Sequence, residues 1–176
     1  MSSLGGKVWH PSPIRSKNRP NPDNTRTLTI CIANFIMSTI NEGFSEWKYD
    51  RGDGRYKHRW KKPYAGFVPG SKGSVGKCSC NITQDIAQEA LNKGIPFLVV
   101  ERGGKKYPKY IYCVYDGVIY EAVPTLPGVS YHGYPWRGDL KGRTKIPRSI
   151  MKKLRKIAEK DGCLQEFDKW EKIYGK

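Results

Sequence analysis

The chain has 176 residues, enough for one domain whose core needs no covalent staples. Its 32 Lys and Arg stand against 16 acidic residues, and the resulting charge of +16 draws polyanions, nucleic acid foremost. No apolar run approaches the roughly 20 residues of a membrane span, so no membrane span is expected.

Residues 1–24 carry Pro11, Pro13, Pro20 and Pro22 among Arg15, Lys17 and Arg19 without any periodicity, which predicts an extended basic arm. The remainder, 25–176, is read as a single domain. Its first predicted helix is capped by Asn24 or Thr25, repeats Leu28, Ile32, Phe35, Ile36 and Ile40 at helical spacing, and stops at Gly43. Residues 48–77 are read as a long basic connector, with nine Lys or Arg against two Asp. Structureless segments of that length are usually functional or disordered. A second helix is predicted near Thr83 to Lys93, with Gly94 as its stop.

The period then changes. Strands are predicted near 96–101, 110–115 and 118–123. The last two are joined by Asp116-Gly117, a pair that tolerates positive φ in a two-residue hairpin turn. That turn sets Tyr115 opposite Val118, Cys113 opposite Tyr120 and Tyr112 opposite Glu121. Both faces of the hairpin are largely apolar, so helices are expected over at least one. A Pro- and Gly-rich segment leads to two C-terminal helices. Pro147 suits the first helical position and Gly162 the break between them. Ile150, Leu154, Ile157 and Ala158 make the core stripe, and Phe167, Trp170 and Tyr174 dock the last helix. The expected fold is a single α+β domain, a short antiparallel β-meander covered by helices, with a basic N-terminal arm.

The stretch "GFVPGSKGSVGKCSC" imitates a phosphate-binding loop. A Walker loop needs Gly, four residues, then Gly-Lys-Ser/Thr, so that amides wrap the phosphates and a hydroxyl holds magnesium. Here five residues separate Gly70 from Gly76, Cys78 replaces the hydroxyl, and no buried strand launches the loop. The pattern therefore reads as a flexible basic loop. Cys78-x-Cys80 lacks a second pair for zinc. No metal and no cofactor are expected. Five cysteines at irregular spacing argue against a disulfide framework. The start, "MSSLGGKVWHPSP", lacks the apolar core of a secretory signal. Together these predict a reducing, cytoplasmic compartment.

Metal-independent RNA cleavage needs a base for the 2′-OH proton, an acid for the leaving oxygen, and cations near the phosphate. "SYHGYPWRGDLKGR" offers His132 and Tyr131 beside Arg137 and Arg143, and "RYKHRWKK" offers His58 in the most basic patch. Glu121 is an unusual mid-strand carboxylate, suited either to acid catalysis or to a salt bridge. A surface histidine with loop-anchoring aromatics is the alternative reading of both segments. For binding, Arg55, Lys57, Arg59, Lys61, Lys62, Lys77, Arg137, Arg143, Lys152 and Arg155 are phosphate candidates, and Trp60 and Trp136 are base-stacking candidates. The expected function is a nucleic-acid-interacting protein, RNA favoured over DNA, acting as a small toxin-like ribonuclease through histidine acid–base chemistry. The alternative is a non-catalytic nucleic-acid-binding or inhibitor protein that occupies a partner's groove. Both histidines, Arg137 and a carboxylate sharing one cleft would favour the enzyme.

Overall fold

The computed structural model describes residues 47–52, 57–70, 73–140 and 143–175. The chain divides into Met1–Gly43 and Phe44–Lys176, and every described residue belongs to the second unit. The predicted arm and first helix lie outside the described residues, as does Arg55.

In chain order the described elements are β1 (Lys48–Tyr49), β2 (Gly66–Gly70), β3 (Gly73–Lys77), α1 (Gln84–Asn92) and β4 (Ile95–Arg102). There follow β5 (Lys105–Tyr115), β6 (Val118–Leu126), β7 (Ser130–Pro135), α2 (Arg148–Lys160) and α3 (Leu164–Tyr174). One sheet has the order β1-β7-β6-β5-β4, and β2-β3 is a separate hairpin. Strands β4 to β7 run antiparallel to their neighbours, while β1 joins the edge of β7 in parallel. This is an α+β domain with an antiparallel meander.

The hairpin turn behaves as its sequence dictates. Asp116 and Gly117 both have positive φ, 50° and 70°, the requirement of a type I′ turn. Tyr115 faces Val118, Cys113 faces Tyr120 and Tyr112 faces Glu121. Alternation then gives the sheet two apolar faces. Tyr112, Val114, Ile119 and Trp136 point to one, where Ile150, Leu154 and Ala158 of α2 and Phe167 and Trp170 of α3 cover them. Ile111, Ala122 and Tyr131 point to the other and meet Leu91 of α1. The Thr83 hydroxyl caps α1 by accepting from the Ile86 amide at 3.2 Å. Pro147 takes the N-cap of α2 and not the first helical position, and Gly162, at φ 73°, makes the break before α3.

Two expectations are corrected. The 48–77 segment is not a structureless connector, because it contributes β1 and the whole β2–β3 hairpin. Phe67 of β2 anchors that hairpin against Trp170 and Tyr174, ring centroids 5.7 and 4.9 Å away. The "SYHGYP" stretch is not a free loop either. It is β7, paired along β6 with His132 opposite Val123 and Tyr134 opposite Glu121. Its Gly and Pro resemble turn residues, but its neighbour β6 supplies the ladder that local propensity does not. Among the described residues, no helix is long and apolar enough to cross a membrane.

Candidate active site

The glycine-rich stretch brings the two histidines together. On Gly76 of β3 a Cβ would lie 3.0 Å from the Pro135 carbonyl oxygen, so glycine is what lets the hairpin press against the end of β7. The turn at 57–59 is then tied back to this strand. The Cys78 amide donates to the His58 carbonyl at 2.7 Å. The Lys77 ammonium donates to the carbonyls of Lys57 and Arg59, at 2.6 and 3.3 Å. Lys77 thus clamps the 57–59 turn to β3.

His58, so held, faces His132. Their ring centroids are 6.2 Å apart and their planes 25° apart, and Tyr134 stacks on His58 at 5.1 Å. His58 Nδ1 lies 2.7 Å from the Gly76 carbonyl oxygen. A carbonyl only accepts, so Nδ1 carries the hydrogen and Nε2 is left as the basic nitrogen. Burial pushes the His58 pKa below the ordinary histidine value; the Gly76 hydrogen bond opposes this, while Lys57, His132 and Lys77 add to it. His132 Nδ1 is 2.8 Å from the Thr125 hydroxyl.

Beside the pair lies a buried ionic network. Glu121 is fully buried, and its carboxylate accepts from Tyr112 Oη at 3.0 Å, Tyr134 Oη at 2.7 Å and Arg143 Nη1 at 2.7 Å. Arg143 also donates to Tyr134 Oη at 3.1 Å and stacks over that ring. With three donors on it, Glu121 serves as an anchor for Arg143 and Tyr134, the salt-bridge alternative among its two readings. Burial first, then the neighbouring carboxylate, pushes the Tyr134 and Tyr112 hydroxyls well above the ordinary tyrosine value. Lys57, His58, His132, Tyr134 and Arg143 line one cleft, with Glu121 beneath it.

Other sequence candidates lie elsewhere. Tyr131 is fully buried on the opposite sheet face and donates to the Pro108 carbonyl at 2.7 Å, so it has no access to the cleft. Trp136 is 2% exposed within the α2–α3 core and has no face for a base. Arg137 is ion-paired with Asp139, lies over Phe67 and Tyr174 and donates to Ser74 Oγ at 3.4 Å, and it does not itself line the histidine cleft. Arg155 is turned to Asp168 and Glu171 of α3. Arg59 donates to the Arg51 carbonyl, and Trp60 donates to that of Tyr64. Lys61, Lys62 and Lys152 are exposed, with Lys62 over the rings of Trp60 and Tyr64. Tyr134 sits in the "SYHGYP" stretch that supplied His132 and Tyr131 as candidates. Its hydrogen bond to Glu121 carried no sequence signal, because the two are register partners only through the β6–β7 pairing.

Among the described residues no three His, Cys, Asp or Glu side chains converge as metal ligands, and the four described cysteines are free thiols. No family model matches the chain, and neither the curated proteins nor the solved structures compared with it gave a match.

Proposed function

We propose that this protein is a small metal-independent ribonuclease. The observation that carries the reading is the convergence of His58 and His132, from the turn before β2 and from β7, on one cleft with Lys57 and Arg143. A nucleic-acid groove alone needs cations and stacking surfaces. It has no use for a half-buried imidazole whose tautomer is fixed and whose charge is suppressed.

In the proposed reaction His58 Nε2 takes the proton of an RNA 2′-OH as that oxygen attacks the adjacent phosphorus. The P–O5′ bond breaks, and protonated His132 gives its proton to the departing 5′-oxygen. Arg143 and Lys57 stabilise the extra charge on the phosphoryl oxygens of the transition state. The products are a 2′,3′-cyclic phosphate and a free 5′-hydroxyl. A second proton transfer with roles reversed, through water, would open the cycle. Such an activity, unrestrained, destroys the RNA of the cell that holds it, which is the behaviour of a toxin.

The test is incubation of purified protein with labelled RNA and with DNA of the same sequence, with and without EDTA. Expected are RNA fragments ending in cyclic phosphate, unaffected by EDTA, and intact DNA. RNA bound but uncut would leave the non-catalytic binding role. Cleavage abolished by EDTA would move the chemistry to a metal.

A further inference from the structure

Three hollows adjoin along this part of the molecule. The first, about 570 Å³, is walled by Tyr49, Arg51, Trp60 and Ile82 and ends at His58 and His132. The second, about 290 Å³, shares Lys57, His58 and His132 with it and adds Ser74, Tyr134 and Arg143. The third, about 690 Å³, shares Ser74, Tyr134 and Arg143 with the second and extends over Lys109, Tyr110, Pro124 and Thr144. Successive hollows share lining residues, so they lie side by side in one row. The histidine pair lines the first two, and the third lies beyond Tyr134 and Arg143.

We propose that these hollows form one trough that binds single-stranded RNA with nucleotides on both sides of the scissile phosphate, and that cleavage is endonucleolytic. The proposal rests on the ribonuclease reading and deepens it. An enzyme that trims ends needs a wall beyond the reacting phosphate to recognise a terminus. Here a further hollow lies to either side of the histidine cleft, and each outer hollow has the size of a small-molecule pocket. Each also has the furniture of a nucleotide subsite. The first offers the rings of Tyr49 and Trp60 with Arg51, and the third offers those of Tyr110 and Tyr134 with Lys109 and Arg143. Aromatic faces and cations in alternation are what a strand with unstacked bases requires. A duplex fits the same chemistry poorly. In an A-form helix the 2′-oxygen lies beside the P–O5′ bond, and attack in line demands that the strand swing out of its stack.

The experiment uses three forms of one RNA sequence: a covalently closed single-stranded circle, the linear strand, and the linear strand annealed to its complement. The expected result is that the circle opens to a unit-length linear product at a rate close to that of the linear strand, while the duplex is cut at least about tenfold more slowly. Stepwise loss from one end of the linear strand with the circle intact overturns the endonucleolytic groove and leaves the ribonuclease standing. Duplex cut as fast as single strand overturns the strand preference. Neither linear strand nor circle cut means the ribonuclease reading itself has failed, and the groove falls with it. Lys109→Ala, an exposed change on β5, probes the outer hollow separately. It should raise KM for a hexanucleotide more than for a dinucleotide, and an equal rise for both would remove the third hollow from the groove.

Discussion

Glu121 makes the molecule's most consequential hydrogen bonds, because its carboxylate is wholly out of water while three donors converge on it. Removing one partner of a buried ion pair leaves the other uncompensated, at about 3–5 kcal/mol. The Arg143 side chain retains 23% exposure, which places Glu121→Ala towards the lower end of that range. Urea denaturation would read it directly, and a loss under about 1 kcal/mol would show that water repairs the network. His58 sets the pH behaviour. Its folded pKa lies below the ordinary value of 6.5, so the unfolded chain binds the proton more readily. The stability it contributes is complete above that value and is lost as pH falls through the ordinary value towards the folded one. On the proposed mechanism His58 must be neutral to act as base, so the acidic limb of kcat/KM should fall below pH 6.5. An acidic limb above that value would assign the base elsewhere. His58→Ala and His132→Ala should each reduce cleavage by about 10²- to 10⁴-fold while RNA binding persists.

Among the elements, two glycines divide the labour between fold and site. Gly117 closes the β5–β6 turn at φ 70°, and a Cβ there would meet Glu166 Cβ at 2.3 Å. Gly117→Ala therefore combines a left-handed penalty of about 1–2 kcal/mol with a clash against α3, and thermal melts should show more than the backbone term alone. Gly76→Ala has another signature. It should push β3 off Pro135 and carry His58 away from His132, lowering cleavage more than it lowers stability. The β5–β6 hairpin and both C-terminal helices were legible because local rules specify them, a positive-φ pair in one case and a 3.6-residue apolar stripe in the other. The β2–β3 hairpin and β7 were not. Gly66, Gly70, Gly73, Gly76 and Gly133 have low intrinsic strand preference, and long-range packing against Trp170, Tyr174 and β6 decides their conformation. Both histidines were legible as candidates by type and charge. Their meeting was not, since it depends on those same two elements.

The whole molecule is strongly basic, and the described cations divide into two populations. Lys77, Arg137 and Arg143 are held by carbonyls or carboxylates of the fold, while Lys57, Lys61, Lys62, Lys109 and Lys152 are exposed, as is Arg155 in its surface pair with Asp168. If the second group tracks an RNA backbone, binding should weaken with salt at about −0.7 in the log–log slope for each phosphate contacted on a single strand. Titration from low to moderate salt measures it, and a flat response would remove nucleic acid as the partner. Replacing Lys61 and Lys62 by neutral residues should shallow that slope with stability changed by less than about 0.5 kcal/mol. Replacing Lys77 should instead loosen the His58 turn.

The face of the sheet that carries His132 also carries Tyr112, Ile119 and Trp136, and α2 and α3 cover these three. Those helices follow the sheet in the chain and are therefore made after it. Until they leave the ribosome the sheet lacks the helices that bury that surface, and the hairpin that holds His58 lacks the Trp170 and Tyr174 rings that anchor Phe67. If the proposed ribonuclease activity holds, a nascent chain growing within reach of the ribosome's own RNA would stay inert until both helices are made, and the order of synthesis would serve as its safety catch.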